Sequence, residues 1–387
     1  MEINAVARLI GELYMVEIRE VKTKKERKEF VEFPLKLYKG NNYFVPPLYG
    51  DEMSIFKPDY VYYEQAEAVY FNAYRDGKIV GRISGILQHA ANKKWGQKQI
   101  RFTRFDAIDD QEVANALFAA VEAWGRDKGM EEIVGPLGFS DLEREGLLID
   151  GFDQMNTFEE QYNYPYYQKL IENCGYGKDV DWVEHQLRVP EGGFDPKYKK
   201  IGDMMLQKYN LHFGEAKSTR EFINKYAEDI FAIWDETYDK IYGTVPFTDK
   251  LKKSVVSQFK LLINKKYIRV IFDEHGTIVA FGFLFPSISD AVRPSGGRLT
   301  LPCIIRVLKA IRHPKVLDLA IIGVKDAYKN KALSAPMLAE LGEAMINDGI
   351  EHCETNLNLE HNIPIQNAWK YFDAKQNKRR RCFIKKL

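Results

Sequence analysis

Three lysines, Lys325, Lys329 and Lys331, lie between the apolar segment LAIIGV and a helical segment that closes at Asp348-Gly349. Within that turn they face one carboxylate, Asp326. A strand, a basic turn and a helix in this order suit a ligand carrying phosphate, because helix-opening amides and the helix dipole favour anions. Where the backbone would approach such a ligand, Ala332 and Ser334 are small, and Asn330 tolerates left-handed geometry. Pro336 falls in the first helical turn, where a missing N–H costs little, although it removes one donor. The turn holds none of the glycines that usually let a backbone wrap phosphate, so an ordinary strand-turn-helix with a solvated basic turn fits the same residues. Further on, Glu360 ends CETNLNLE, where a carboxylate can act as a general base, directly or through water, or can simply be a solvated strand-end charge. His361 stands beside it, although a strand-end His is more often structural or exposed. Tyr238 and Tyr242, four apart, are expected to share one helix face, as core or as substrate contacts.

The elements that must position these groups occur twice. The first series is VEIREV, the helical TKKERKEFVEFPLKLY, and two β-rich runs about Asp76-Gly77, a strong hairpin signal. Then come IRFTRFDAI and a helix with apolar residues at 113, 116, 117, 120, 121 and 124, opened by Asp109 with Glu112 and stopped by Gly129. The strands EEIVGPLGF and WVEHQLRV follow, the helix YPYYQKLIENCGYG between them. The second series runs from the helix REFINKYAEDIFAIWDETYDKIYG through a strand pair turning at Glu274-His275-Gly276 to the basic turn above. It ends with HCETNLNLE, the helix PIQNAWKYFDAK and the strand RRRCFIKKL. The expected organisation is an extension at 1–14, a domain at 15–189, a Gly/Pro/Asp-rich linker at 190–198 (PEGGFDPKY) and a second domain at 199–387. A start at Met15 fits the strand-like MVEIREV.

The chain has 387 residues, enough for two domains, and 56 Lys and Arg against 55 Asp and Glu. That balance argues against a general nucleic-acid binder, although NKRRRCFIKKL is locally basic. Cys174, Cys303, Cys353 and Cys382 form no C-x-x-C pair, which speaks against a zinc or redox motif and for a reduced cytoplasmic protein; no metal is expected. No apolar run reaches the roughly 18 residues of a membrane span, and no membrane partner is expected. MEINAVARLIGELYM lacks the basic start of a secretory signal.

The order of elements resembles the GNAT superfamily of acyl-CoA-dependent N-acyltransferases, used twice. More narrowly, the chain is similar to a bacterial group of tandem GNAT-like proteins. FVPPL, DGKIVGRISG, FDAIDDQEVANAL, GPLGFSDLEREGLLIDGFD, YPYYQKLIENCGYGKDVDW, IIGVKDAY and LEHN carry this likeness. It implies an α/β fold with mixed sheets in two tandem GNAT-like domains, acetyl-CoA or another acyl-CoA as co-substrate, and a small-molecule or peptide amine as acceptor. The family's pyrophosphate loop, [R/Q]-x-x-G-x-[G/A], falls on Lys329, Asn330, Lys331, Ala332, Leu333 and Ser334, with Ala and Ser where small glycine-type residues are usual. The family's carbonyl-polarising strand falls on Ile322, Gly323 and Val324. Asn362 matches the family's asparagine, whereas Trp369 stands where the family's acid, a tyrosine, is expected; Tyr371 is the nearest tyrosine. Tyr238 and Tyr242 fall on the acceptor side, and Glu360 is the candidate base. The first half's loop holds Asp106, Asp109, Asp110 and Glu112, carboxylates that would repel a pyrophosphate, so the second half is the expected acyl-CoA domain. The alternatives are a GNAT-like binding protein without catalysis and an aminoacyl-tRNA-dependent transferase. No residue pattern specifies the acceptor, the acyl chain length or an oligomeric state.

Overall fold

The computed structural model describes residues 16–387, so the expected extension at 1–14 and the start at Met15 lie outside the described residues. The chain forms two compact units. Unit 1 runs to residue 181 and includes 292–299 and 379–387; unit 2 comprises 182–291 and 300–378. The strands of unit 1 are β1 (Glu17–Glu20), β2 (Ala66–Arg75), β3 (Lys78–Gln88), β4 (Gln99–Ala107), β5 (Glu132–Gly135) and β6 (Leu147–Asp150). β7 (Gly177–Arg188) carries the chain into unit 2. There follow β8 (His212–Phe213), β9 (Ile268–Phe272), β10 (Ile278–Pro286), β11 (Val316–Val324), β12 (His352–Thr355) and β13 (Asn358–Leu359). β14 (Asp373–Lys386) begins in unit 2 and ends in unit 1. The chain therefore changes unit inside β7, while 190–198 belongs to unit 2 and the last residues to unit 1.

The two units share a plan. In unit 1, β1 to β4 pair antiparallel in sequence order, β4 pairs parallel with β5, and β14 closes antiparallel on β5 and β6. The helix Gln111–Asp127 makes the crossover between the parallel strands, as parallel pairing requires. In unit 2, β8 to β11 pair antiparallel, β11 pairs parallel with β12 across the helix Ser334–Asp348, and β12 pairs with β7. The Asp76-Gly77 hairpin forms as expected, both residues at positive φ. The helix Gln111–Asp127 is capped by Asp110, not Asp109: the Asp110 side chain accepts from the amides of Glu112 and Val113. The helix Thr219–Tyr238 stops at Tyr238, so Tyr242 does not share its face.

Each crossover strand is bulged. The β3–β4 register slips between Arg82 and Ser84, with Arg104 at φ 50°, and the β10–β11 register slips between Phe283 and Leu284, opposite Ala320. A bulge bends its strand and strengthens the local twist. Parallel pairing accordingly stops at Arg101–Val134 in unit 1 and at Leu319–Thr355 in unit 2.

The basic run is absorbed by internal pairs. Arg379 and Arg381 bind Asp181, and Arg380 binds Glu160 and the Gln161 carbonyl. Lys385 binds Glu122, and Lys378, fully buried, lies 2.9 Å from Glu184 and 3.2 Å from Glu354. Burial alone would raise the Glu354 carboxyl, but His352, the Lys378 charge, Gln186 and Asn377 outweigh it and hold it at about 2 against an ordinary 4.5. Its folded-state value is depressed, so its stabilisation is complete above pH 4.5 and is lost as pH falls toward 2. Replacing Lys378 by Met strands two buried carboxylates and is expected to cost about 3 kcal/mol in urea denaturation. Glu354→Gln is expected to make the acid limb of the stability profile shallower between pH 4.5 and 2, measured by the same assay at stepped pH.

Candidate functional site

Past Leu319, β11 continues to Val324 beside β10 without the β12 register. Side chains meet the backbone there: Asn356 Nδ2 donates to the Ala320 carbonyl, and the Tyr238 hydroxyl donates to the Ile322 carbonyl at 3.0 Å. Tyr238, expected on the acceptor side, thus fastens the helix Thr219–Tyr238 to β11. The same crossing explains Gly323, where a Cβ would stand 2.6 Å from the Phe281 ring and 3.0 Å from Thr237 Oγ1. Tyr242 packs edge-on to Trp182 with centroids 5.8 Å apart.

The basic turn is a 3-10 helix, Asp326–Lys331, followed by Ala332 at φ 51°, ψ 32° and Leu333 at φ −68°, ψ −13°. Ala332 therefore takes the left-handed geometry for which glycine is the ordinary residue. A left-handed residue followed by a right-handed one forms the concave backbone turn that binds anions. The helix Ser334–Asp348 that follows has no side-chain cap and no acid in its first turn. Its Ala335 amide is taken by the Ala332 carbonyl at 3.0 Å, and Pro336 has no amide to offer. Leu333 is buried and anchors the turn to the core with Met337 and Val279.

The lysines already have partners. Lys329 lies 2.6 Å from Asp326, Lys325 lies 3.5 Å from Glu236, and Lys331 sits over the rings of Tyr328 and Tyr209 at 4.0 and 4.6 Å. Lys329 and Asp326 remain more than half exposed, so solvent weakens their hold on each other.

Glu360 follows β13, its side chain only 18% exposed, with one carboxylate oxygen 3.6 Å from His361 Nε2. Gln366 Nε2 holds the Glu360 carbonyl at 3.0 Å. Asn362 precedes the helix Ile363–Ala368 without capping it by its side chain. Trp369 is a core residue whose indole N–H donates to Asn358 Oδ1 at 3.0 Å. Tyr371 lies in the next 3-10 turn, Trp369–Tyr371, edge-on to Tyr198 with centroids 4.5 Å apart. Burial, and then Tyr198, raise its hydroxyl above the usual tyrosine value.

Unit 2 also holds a polar cluster that sequence reasoning missed. Gln186 of β7 and Asp318 of β11 register with Glu354 of β12, and His352 Nε2 approaches Glu354 at 3.3 Å. The signal was the alternation in HCET, whose Cys353 enters the core while His352 and Glu354 share the other face.

In unit 1 the corresponding positions are filled from within. Asp106 is buried and accepts from Arg82 at 2.8 Å and from Tyr38 at 2.9 Å. Burial raises its carboxyl, against the pull of Arg82. Arg104, at the bulge, binds Glu52 at 3.2 Å and Glu143 at 3.4 Å. Asp110 caps the crossover helix and pairs with Arg75. Among the described residues, no group of three or more His, Cys, Asp and Glu side chains is placed to hold a metal. None of the described helices is long and apolar enough to cross a membrane.

Comparison with solved structures decides the fold. A tandem GNAT protein from the clavulanic acid biosynthesis pathway superposes with a TM-score of 0.54 over 96% of this chain and 98% of its own, at 11% identity. This chain has the tandem GNAT fold. A GCN5-related glucosamine N-acetyltransferase region of a fungal multi-domain GH3 β-N-acetylglucosaminidase gives a TM-score of 0.55 at 12% identity, over 96% of this chain and 38% of that one. Among curated proteins, Protein YghO of Escherichia coli (strain K12) is 26% identical over 96% of this chain and 95% of its own. The bacterial ceramide synthase of Caulobacter vibrioides is 27% identical over 72% of each. No family model matches the sequence.

The left-handed Ala332 gives a direct check on the turn. Ala332→Gly is expected to raise stability by about 0.5–1 kcal/mol, measured by thermal denaturation; a loss of stability would mean the turn is not left-handed in solution.

Proposed function

We propose that the chain is an acyl-CoA-dependent N-acyltransferase of the cytoplasm whose unit 2 binds the co-substrate and whose unit 1 does not. The supporting observation is the uncapped, acid-free start of the helix Ser334–Asp348 behind the left-handed Ala332, set against the Asp110-capped helix of unit 1. Lys329, Asn330, Lys331, Ala332, Leu333 and Ser334 would hold the pyrophosphate, by backbone and by the lysine charges, with Asn362 near the acyl end. Acyl-CoA supplies an activated thioester. The backbone of Ile322, Gly323 and Val324 would polarise the acyl carbonyl. Glu360, mostly shielded from solvent, would take the proton of the incoming amine, and Tyr371, held protonated by burial, would return one to the departing thiolate. Tyr238 and Tyr242 would border the acceptor. Its identity is a primary amine, and the relative named as a ceramide synthase favours a lipid amine over a peptide.

One observation supports a binding protein without catalysis instead: Trp369, where the family's acid would stand, is a core residue bonded to Asn358. Calorimetric titration with CoA, acetyl-CoA and palmitoyl-CoA separates the readings. Saturable binding of about micromolar strength, weakened at least tenfold by Lys329→Glu with Lys331→Glu, is expected; no saturation with any of the three would remove the proposal. With an amine acceptor in hand, Glu360→Gln is expected to lower kcat by about 100-fold with KM little changed. Unaltered turnover would exclude Glu360 as the base, whereas binding without turnover would favour the non-catalytic reading.

A further inference from the structure

The helix Leu301–Arg312 in unit 2 carries a surface that acyl transfer does not use. Cys303 is buried and turns the helix to its core. On roughly the opposite side, Leu301, Ile304, Ile305 and Leu308 are exposed, at 71%, 39%, 60% and 54%. Their spacing is i, i+3, i+4 and i+7, so they form one continuous apolar stripe. A stripe of this kind on an exposed helix marks an interaction site.

The charged residues of the helix itself are of one sign: Arg306, Lys309 and Arg312, with no Asp or Glu. Lys309 and Arg312, on the helix itself, are exposed and border the stripe. Arg306 is half-buried and donates to the Ala291 carbonyl, and Lys315 pairs with Glu351. Exposed apolar side chains with Lys309 and Arg312 beside them on the same helix are complementary to an apolar layer under a sheet of anions. At 1.5 Å per residue, the helix is far too short to span a bilayer and long enough to lie along one.

We propose that the helix Leu301–Arg312 docks on the surface of an anionic phospholipid membrane, its stripe entering the acyl boundary and Lys309 and Arg312 meeting the headgroup phosphates. This revises the expectation of no membrane partner, which rested on the absence of a spanning segment; a helix lying in the interface needs none. It holds whether or not the chain transfers acyl groups, and a lipid acceptor would give the docking a use.

The test is flotation of the full chain with phosphatidylcholine vesicles, with and without about one quarter phosphatidylglycerol. The full chain is expected to float with the anionic vesicles and to be released by high salt. Ile305→Asp with Leu308→Asp should abolish flotation. Lys309→Glu with Arg312→Glu should weaken it more than about fivefold per charge. Both variants change exposed residues, and unaltered thermal melts would show that they fold. A Leu308→Trp variant should be quenched by brominated lipid in anionic vesicles, which places the stripe in the acyl layer. No flotation, flotation that the variants leave unchanged, or an unquenched Trp would overturn the proposal. So would a wild-type dimer that Ile305→Asp with Leu308→Asp converts to monomer without altering flotation, since a second copy would then cover the stripe.

Discussion

A bulge in the crossover strand is the constraint on which each unit depends. Parallel strands joined by a helix would ordinarily pair along their length. One extra residue in β11, at Ala320, bends it from β12, and the pairing ends at Leu319–Thr355. The backbone beyond must find other partners. In unit 2 Asn356 and Tyr238 each take one carbonyl, and Gly323 lets the helix Thr219–Tyr238 lie close enough for the tyrosine to reach.

Unit 1 has the same bulge and resolves it differently. Arg104 occupies it in left-handed geometry and is clamped by Glu52 and Glu143. Asp106 and Asp110 fill the neighbouring positions with internal charge. Such a network is costly to bury and costly to break, which suits a unit that stays as it is. Unit 2 keeps a small residue at its bulge and leaves its crossover helix without a side-chain cap. Two copies of one architecture thus differ in whether the chain supplies its own anion at the helix start.

Much of this was legible in the sequence, for reasons that differ by residue. Asp76-Gly77 dictates a hairpin because both positions need positive φ, and the doubled order of elements survives weak identity because periodicity does. The acidic turn of unit 1 and the basic turn of unit 2 were also plain, although the capping residue is Asp110 and not Asp109, a choice of backbone geometry that composition does not encode. The expectation that Tyr242 shares the face of Tyr238 fails, since in sequence a helix that ends at Tyr238 looks the same as one that continues. The ion pairs of residues 378–385 were invisible because their partners lie far away in the chain; of the Glu354 cluster, the alternation in HCET shows His352 and Glu354 on one face but not the distant Gln186 and Asp318. The apolar stripe of Leu301–Arg312 has the same spacing as the buried face of a core helix; only exposure distinguishes the two.

If the start of the helix Ser334–Asp348 is an anion site and the start of Gln111–Asp127 is not, a crystal structure of the full chain with CoA will show it. The pyrophosphate is expected in the turn from Lys329 to Ser334 of unit 2, with nothing at Asp110. A pyrophosphate bound in unit 1, or density for CoA away from both helix starts, would contradict it.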